Sequence, residues 1–137
     1  MTSKESMEAY RKALKESEES WHLPKEKRDE LEKKLEEAFR AIIPEVGMPC
    51  TVCYWSDYRA ATIVRVETPN RVVVRFNEVK CLDYYAGIYE ILPEFDCLGE
   101  ETFTKRRDGR WVKVGHKYKD GVRLALHYQR HYIDPHY

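Results

Sequence analysis

Two periodicities divide the chain. Over residues 3–21 apolar positions recur at helical steps. Met7, Tyr10, Leu14, Ser17 and Trp21 fall three or four residues apart, with charges elsewhere. Ser3 or Ser6 is placed to cap this segment. His22-Leu23-Pro24 then interrupts it, because a residue before proline disfavours helical dihedrals while proline suits the first turn of a following helix. A second stripe, Leu31, Leu35, Ala38, Phe39 and Ile42, runs up to Pro44. The pattern predicts an αα-hairpin over residues 1–45. Its stripes are too narrow for it to stand alone, so it packs on the rest of the chain or on another copy, and a homo-oligomer is expected.

From residue 46 the period changes to two. Residues 50–55, 59–67 and 71–76 are rich in β-branched and aromatic residues, and Thr68-Pro69-Asn70 forms a turn between the last two. Residues 77–99 lack a regular pattern. They read as an excursion with one short strand over 88–92, broken at Leu92-Pro93. Asp108-Gly109 between two alternating runs is a hairpin signal, and a last strand is expected over 122–128. The aromatic tail, ending Tyr132-Ile133-Asp134-Pro135-His136-Tyr137, is expected to pack back on the domain. The fold class is therefore α+β: a helical hairpin followed, over residues 46–137, by a small antiparallel, SH3-like bent sheet or barrel of five or six strands.

Charge narrows the function. Charged residues make up 35% of the chain but balance, 24 basic against 24 acidic. A general electrostatic hold on DNA, RNA or anionic lipid is not expected, although a local basic pocket fits. No apolar run reaches membrane-spanning length and no secretory block opens the chain, so no membrane association is expected and the location is read as cytoplasmic.

Few constellations carry chemistry. Cys50-x-x-Cys53 lies in a strand, and Cys81 and Cys97 do not form a second ligand pair, so the four cysteines are read as free thiols rather than a zinc site. His127, His131 and His136 have near-helical spacing in a segment that is not helical, and are read as part-exposed polar residues. Asp57, Asp83, Asp96 and Asp134 sit beside turn residues and suit turns and caps. No catalytic motif appears, and neither enzyme activity, a cofactor nor a metal is expected. More informative is the interleaving of arginines (Arg59, Arg65, Arg75, Arg106, Arg110, Arg123, Arg130) with aromatics (Tyr54, Trp55, Tyr58, Phe76, Phe103, Trp111, Tyr118, Tyr128, Tyr132). Most of these serve the core and solvated strand faces. In combination, guanidinium forks take phosphates and planar rings stack bases. At zero net charge this suggests a pocket for a small nucleotide.

Two resemblances bear on this. Gly47 through Val66, with Tyr54-Trp55, Tyr58-Arg59-Ala60 and the Val72-Val73-Val74-Arg75-Phe76 strand, resembles the opening of Tudor and Agenet modules. That likeness implies an SH3-like barrel with an aromatic cage for methylated lysine or arginine, drawn here from Tyr54, Trp55, Tyr58 and Phe76. Most of residues 47–137 also resembles small phage and prophage proteins. The likeness rests on Ser56-Asp57-Tyr58-Arg59-Ala60, on Phe103-Thr104-Lys105-Arg106 leading through Asp108-Gly109 to Trp111, and on the Tyr132 to Tyr137 tail. The layout looks most like the phage Thoeris anti-defence sponges. That family implies binding and sequestration, without cleavage, of a nucleotide immune signal such as glycocyclic ADP-ribose or a cyclic oligonucleotide, in the host cytoplasm if the protein is phage-encoded. By order along the chain it implies Arg59, Phe103 and Arg130 as pocket residues. Arg123, Tyr54, Trp55 and Tyr132 complete the expected ligand-binding set. The alternative is a Tudor-like protein-interaction module.

Overall fold

A computed structural model describes residues 2–117 and 121–135. Tyr118, His136 and Tyr137 lie outside the described residues. The chain divides into two units, 1–43 and 44–137. Among the described residues no helix is long and apolar enough to cross a membrane.

The first unit is the expected helical hairpin. Helix α1 spans Ser3–Glu18, a 3-10 turn spans Glu19–His22, and helix α2 spans Lys25–Arg40. Met7 and Tyr10 are buried, and Tyr10 meets Phe39 of α2 with ring centroids 6.1 Å apart. The cap is Thr2, whose hydroxyl accepts the Glu5 N–H, rather than Ser3 or Ser6. Those two serines instead fasten the ends of the hairpin. The Ser3 hydroxyl donates to the Ile43 carbonyl, and the Ser6 hydroxyl accepts the Ile43 N–H at 3.0 Å. Trp21 is 81% exposed, off the stripe it was assigned to. The 3-10 turn has three residues per turn, so it rotates Trp21 away from the face that Met7 and Tyr10 follow. Leu23 is extended as its proline requires, and Pro24 stands at the N-cap, one position earlier than expected.

The second unit is all-β. Its six strands are β1 (Pro49–Cys53), β2 (Tyr58–Thr68), β3 (Arg71–Asp83), β4 (Ile88–Lys105), β5 (Trp111–Lys113) and β6 (Arg123–Ala125). Every pairing is antiparallel, and β1 pairs with β2 on one side and β6 on the other, closing a barrel. Closure leaves the short strands without free edges. Cys50, Val52, Ile63, Val72, Val74 and Phe103 fill the interior. The turn between β2 and β3 falls at Pro69-Asn70, and the Asp108-Gly109 hairpin joins β4 to β5 with Gly109 at φ 87°. The last strand is shorter than the sequence suggests, Arg123–Ala125.

The excursion over 77–99 is in fact a continuation of β3 and β4. They run on as a two-stranded ribbon, with Cys81 opposite Tyr89 and Asp83 opposite Ile88. Leu92-Pro93 does not end the strand. Between the Asn77–Phe95 and Val79–Ile91 pairs, β4 carries extra residues, and Pro93 sits in that bulge, where no ladder N–H is needed. Buried Asn77 ties the irregularity together. It accepts the Thr62 hydroxyl and donates to the Leu92 carbonyl at 2.9 Å. A second bulge, over residues 96–99, separates Phe95 from Glu100.

The tail packs back on the barrel, as expected. Tyr58 and Tyr132 exchange backbone hydrogen bonds of 2.7 and 2.8 Å. Thr51, fully buried, donates its hydroxyl to the Tyr128 carbonyl and accepts the Arg130 N–H. The ribbon closes over the other side. Gly87, at φ +70°, lies so close to the Tyr132 ring that an added Cβ would fall 2.5 Å from it. Gly87→Ala should therefore loosen the tail, through backbone strain of about 1–3 kcal/mol and a clash with the ring. Hydrogen exchange should show faster exchange at the Tyr58 and Tyr132 amides, with the core amides of Val72 and Val74 unchanged.

Candidate functional site

The tail sorts its side chains onto two sides. Tyr58 and Tyr132 form a directly hydrogen-bonded antiparallel pair, so their side chains share a face, and Arg59 and His131, one residue on, turn to the other.

On the first face, the Arg130 guanidinium lies 5.2 Å from the Tyr58 ring centroid and 5.3 Å from that of Tyr132. Both distances are within cation–π range. Arg130 is exposed, and no described carboxylate pairs with it. Cys53 stands opposite Tyr58 on one neighbouring strand and opposite Arg123 on the other, which brings Arg123 into the same cluster. The Cys53 thiol and the Tyr128 hydroxyl are 3.5 Å apart. Burial pushes the Cys53 thiol above its ordinary value, although the Tyr128 bond and the Arg123 charge act against this. Burial, followed by the Cys53 contact, likewise raises the Tyr128 hydroxyl. The face thus carries two guanidinium groups and three phenol rings. Its nearest thiol stays protonated at neutral pH and is a poor nucleophile.

On the second face, Arg59 stands between two shallow depressions of about 360 Å³ each. Tyr54, Asp57, Phe76, Leu98 and Glu101 line one; Asn77, Glu78, Val79, Asp96, His131 and Ile133 line the other. The bulge over residues 96–99 supplies Asp96 and Leu98, with the Leu98 N–H held on the Asp96 carboxylate at 2.9 Å. Among the described residues Arg59 has neither a hydrogen bond nor an ion pair. His131 sits under the ribbon, edge-on to Tyr89, and its Nδ1 accepts the Ala60 N–H at 3.3 Å. Burial, then the Arg59 charge, lowers the imidazole below its ordinary value of 6.5.

That shift gives a pH dependence. The folded state holds His131 neutral, whereas the unfolded chain protonates it near 6.5. The unfolded state therefore binds more protons on acidification, and stability falls as pH drops below about 6.5. Urea midpoints measured at pH 7.5 and pH 5.5 should show the loss, and His131→Gln should reduce the difference.

The sequence-assigned site residues fall in four places. Arg123, Arg130 and Tyr132 come together on the first face. Tyr54 and Arg59 come together on the second. Trp55 stands alone at the tip of the β1–β2 loop, 94% exposed, within the turn that the Tyr54 N–H closes by donating to the Asp57 carbonyl. Phe103 requires correction. It is 0% exposed, paired with Val72 and Lys113 in the barrel interior, and has no surface on which to stack a base. The barrel places it there because inward positions of a narrow barrel go to large apolar side chains. Nor do Arg59 and Arg130 converge. Tyr58 and Tyr128 join the first face without having been expected to bind the nucleotide, and for Tyr128 the signal is legible: Tyr128, Arg130 and Tyr132 alternate in a tail that runs extended.

No family model, curated protein or solved structure matches this chain.

Proposed function

We propose that the Arg130 face binds a small anionic nucleotide and holds it unchanged, so that the protein acts as a sequestering sponge of the phage anti-defence type. The observation that carries this reading is the Arg130 guanidinium held over Tyr58 and Tyr132, with no carboxylate partner among the described residues. Its fork is free to take a phosphate, with Arg123 beside it, while the exposed Tyr128 ring offers a stacking surface. The protonated Cys53 thiol favours capture over cleavage. On this reading the closed barrel is SH3-like, the helical unit serves assembly of a homo-oligomer, and the protein works in the host cytoplasm. Thermal melts with glycocyclic ADP-ribose, cyclic oligoadenylates and linear dinucleotides test it. At least one should raise the melting temperature, because a ligand that binds only the folded state stabilises it. A panel that shifts nothing overturns the reading.

A second reading, a Tudor-like cage for a methylated side chain, draws on one observation: Tyr54 and Phe76 line the same depression beside Asp57. Only two of the four proposed cage rings meet there. Tyr58 lies on the opposite face under Arg130, and Trp55 is out in solvent. Arg59 in the same wall also opposes a ligand that is purely cationic.

A further inference from the structure

The Tyr54–Phe76 depression carries one cation and one anion that do not neutralise each other. Glu101 is already paired with Lys113 at 3.0 Å. Asp57 uses one carboxylate oxygen to accept the Asp134 N–H at 2.9 Å, and its other oxygen has no partner among the described residues. Arg59, two residues on along β2, has no partner there either. Between these charges lies the half-exposed ring of Tyr54, with Phe76, only 4% exposed, beneath it and Leu98 from the bulge beside it. Burial has already raised the Tyr54 hydroxyl, so this ring is neutral and offers its face to a cation.

We propose that this depression binds a small zwitterion bearing an alkylated ammonium and an acidic group, the ammonium seated on the Tyr54 ring beside Asp57 and the acid on Arg59. Aromatic faces attract quaternary ammonium through the ring quadrupole, and a nearby carboxylate adds to that attraction. A guanidinium fork takes a phosphate or carboxylate in two parallel hydrogen bonds. A ligand with one charge leaves the opposite group of the depression unanswered, whereas a zwitterion satisfies both. A cavity of about 360 Å³ accommodates a ligand of this size. The site is separate from the Arg130 face and does not depend on the nucleotide reading.

Isothermal titration of the full chain with phosphocholine and with glycine betaine tests this. At least one should bind, and tetramethylammonium or inorganic phosphate alone should bind about tenfold or more weakly, since each lost charged contact is worth a decade or so of affinity. Arg59→Gln and Tyr54→Ala should each weaken the zwitterion by about tenfold, and Arg59→Lys should recover part of the loss. Arg130→Gln should leave zwitterion affinity unchanged, which separates this site from the nucleotide face. Circular dichroism confirms that each variant is folded. If neither zwitterion binds, the inference fails. It fails equally if inorganic phosphate binds as tightly as phosphocholine and Tyr54→Ala changes nothing, because the depression is then a plain anion site.

Discussion

Phe103→Ala should destabilise the barrel by about 3–5 kcal/mol, read as a lower urea midpoint at unchanged slope. Phe103 heads the fully buried side chains by volume and sits where β3, β4 and β5 meet, opposite Val72 on one side and Lys113 on the other. Truncation removes the ring's transfer energy and leaves a void between strands that are closed in a ring and cannot collapse freely. Against a typical domain stability of about 5–15 kcal/mol, that loss alone brings the barrel close to unfolding at ambient temperature. Phe103→Leu keeps most of the apolar volume and should cost less. It should also leave nucleotide affinity unchanged, because the ring has no exposed surface. A Phe103→Leu protein with wild-type stability but lost ligand affinity would mean that the ring touches ligand after all.

Arg130→Gln should have the opposite profile, a large loss of nucleotide affinity with little loss of stability. Charge-assisted hydrogen bonds are worth about 1.5–3 kcal/mol each, so removing the fork should weaken binding by about 10- to 100-fold. The same side chain is exposed and pairs with no described carboxylate, so its folding contribution comes from two cation–π contacts of about 0.5–1 kcal/mol each. Arg130→Lys retains the charge but not the planar fork, and should fall between wild type and Arg130→Gln. Added salt should weaken the wild type more than the variant, because the lost interaction is the screened one. Titration calorimetry paired with melting curves separates the two effects.

What was legible in the sequence follows from where apolar side chains are buried in a regular pattern or run. The helical hairpin shows its stripe because Met7, Tyr10 and Phe39 are drawn from its inner face, and β3 reads as a strand because its β-branched run Val72, Val73 and Val74 is buried throughout. The ribbon formed by the outer halves of β3 and β4 was not legible. Leu82, Tyr85 and Ile88 are exposed there, neither face of the ribbon forms the barrel interior, and the alternation that marks a strand is absent. Pro93 then resembles a terminator, when a bulge absorbs it. The site was half-legible for a related reason. Arginine and aromatic enrichment marks the right chemistry, but chain order cannot tell the two sides of the Tyr58–Tyr132 ladder apart. A one-residue step separates Arg59 from Tyr58 and sends the two to opposite faces. Phe103 was misassigned because an aromatic in a strand has the same composition signal whether it faces a ligand or the core.

If the tail face captures a nucleotide without altering it, protein incubated with glycocyclic ADP-ribose and cyclic oligoadenylates and then freed of unbound ligand should give up intact ligand to the supernatant, as read by mass spectrometry, only after heat denaturation. Wild type should do so and Arg130→Gln should not. Ligand converted under native conditions, or wild type and Arg130→Gln releasing equal amounts, would contradict capture at this face.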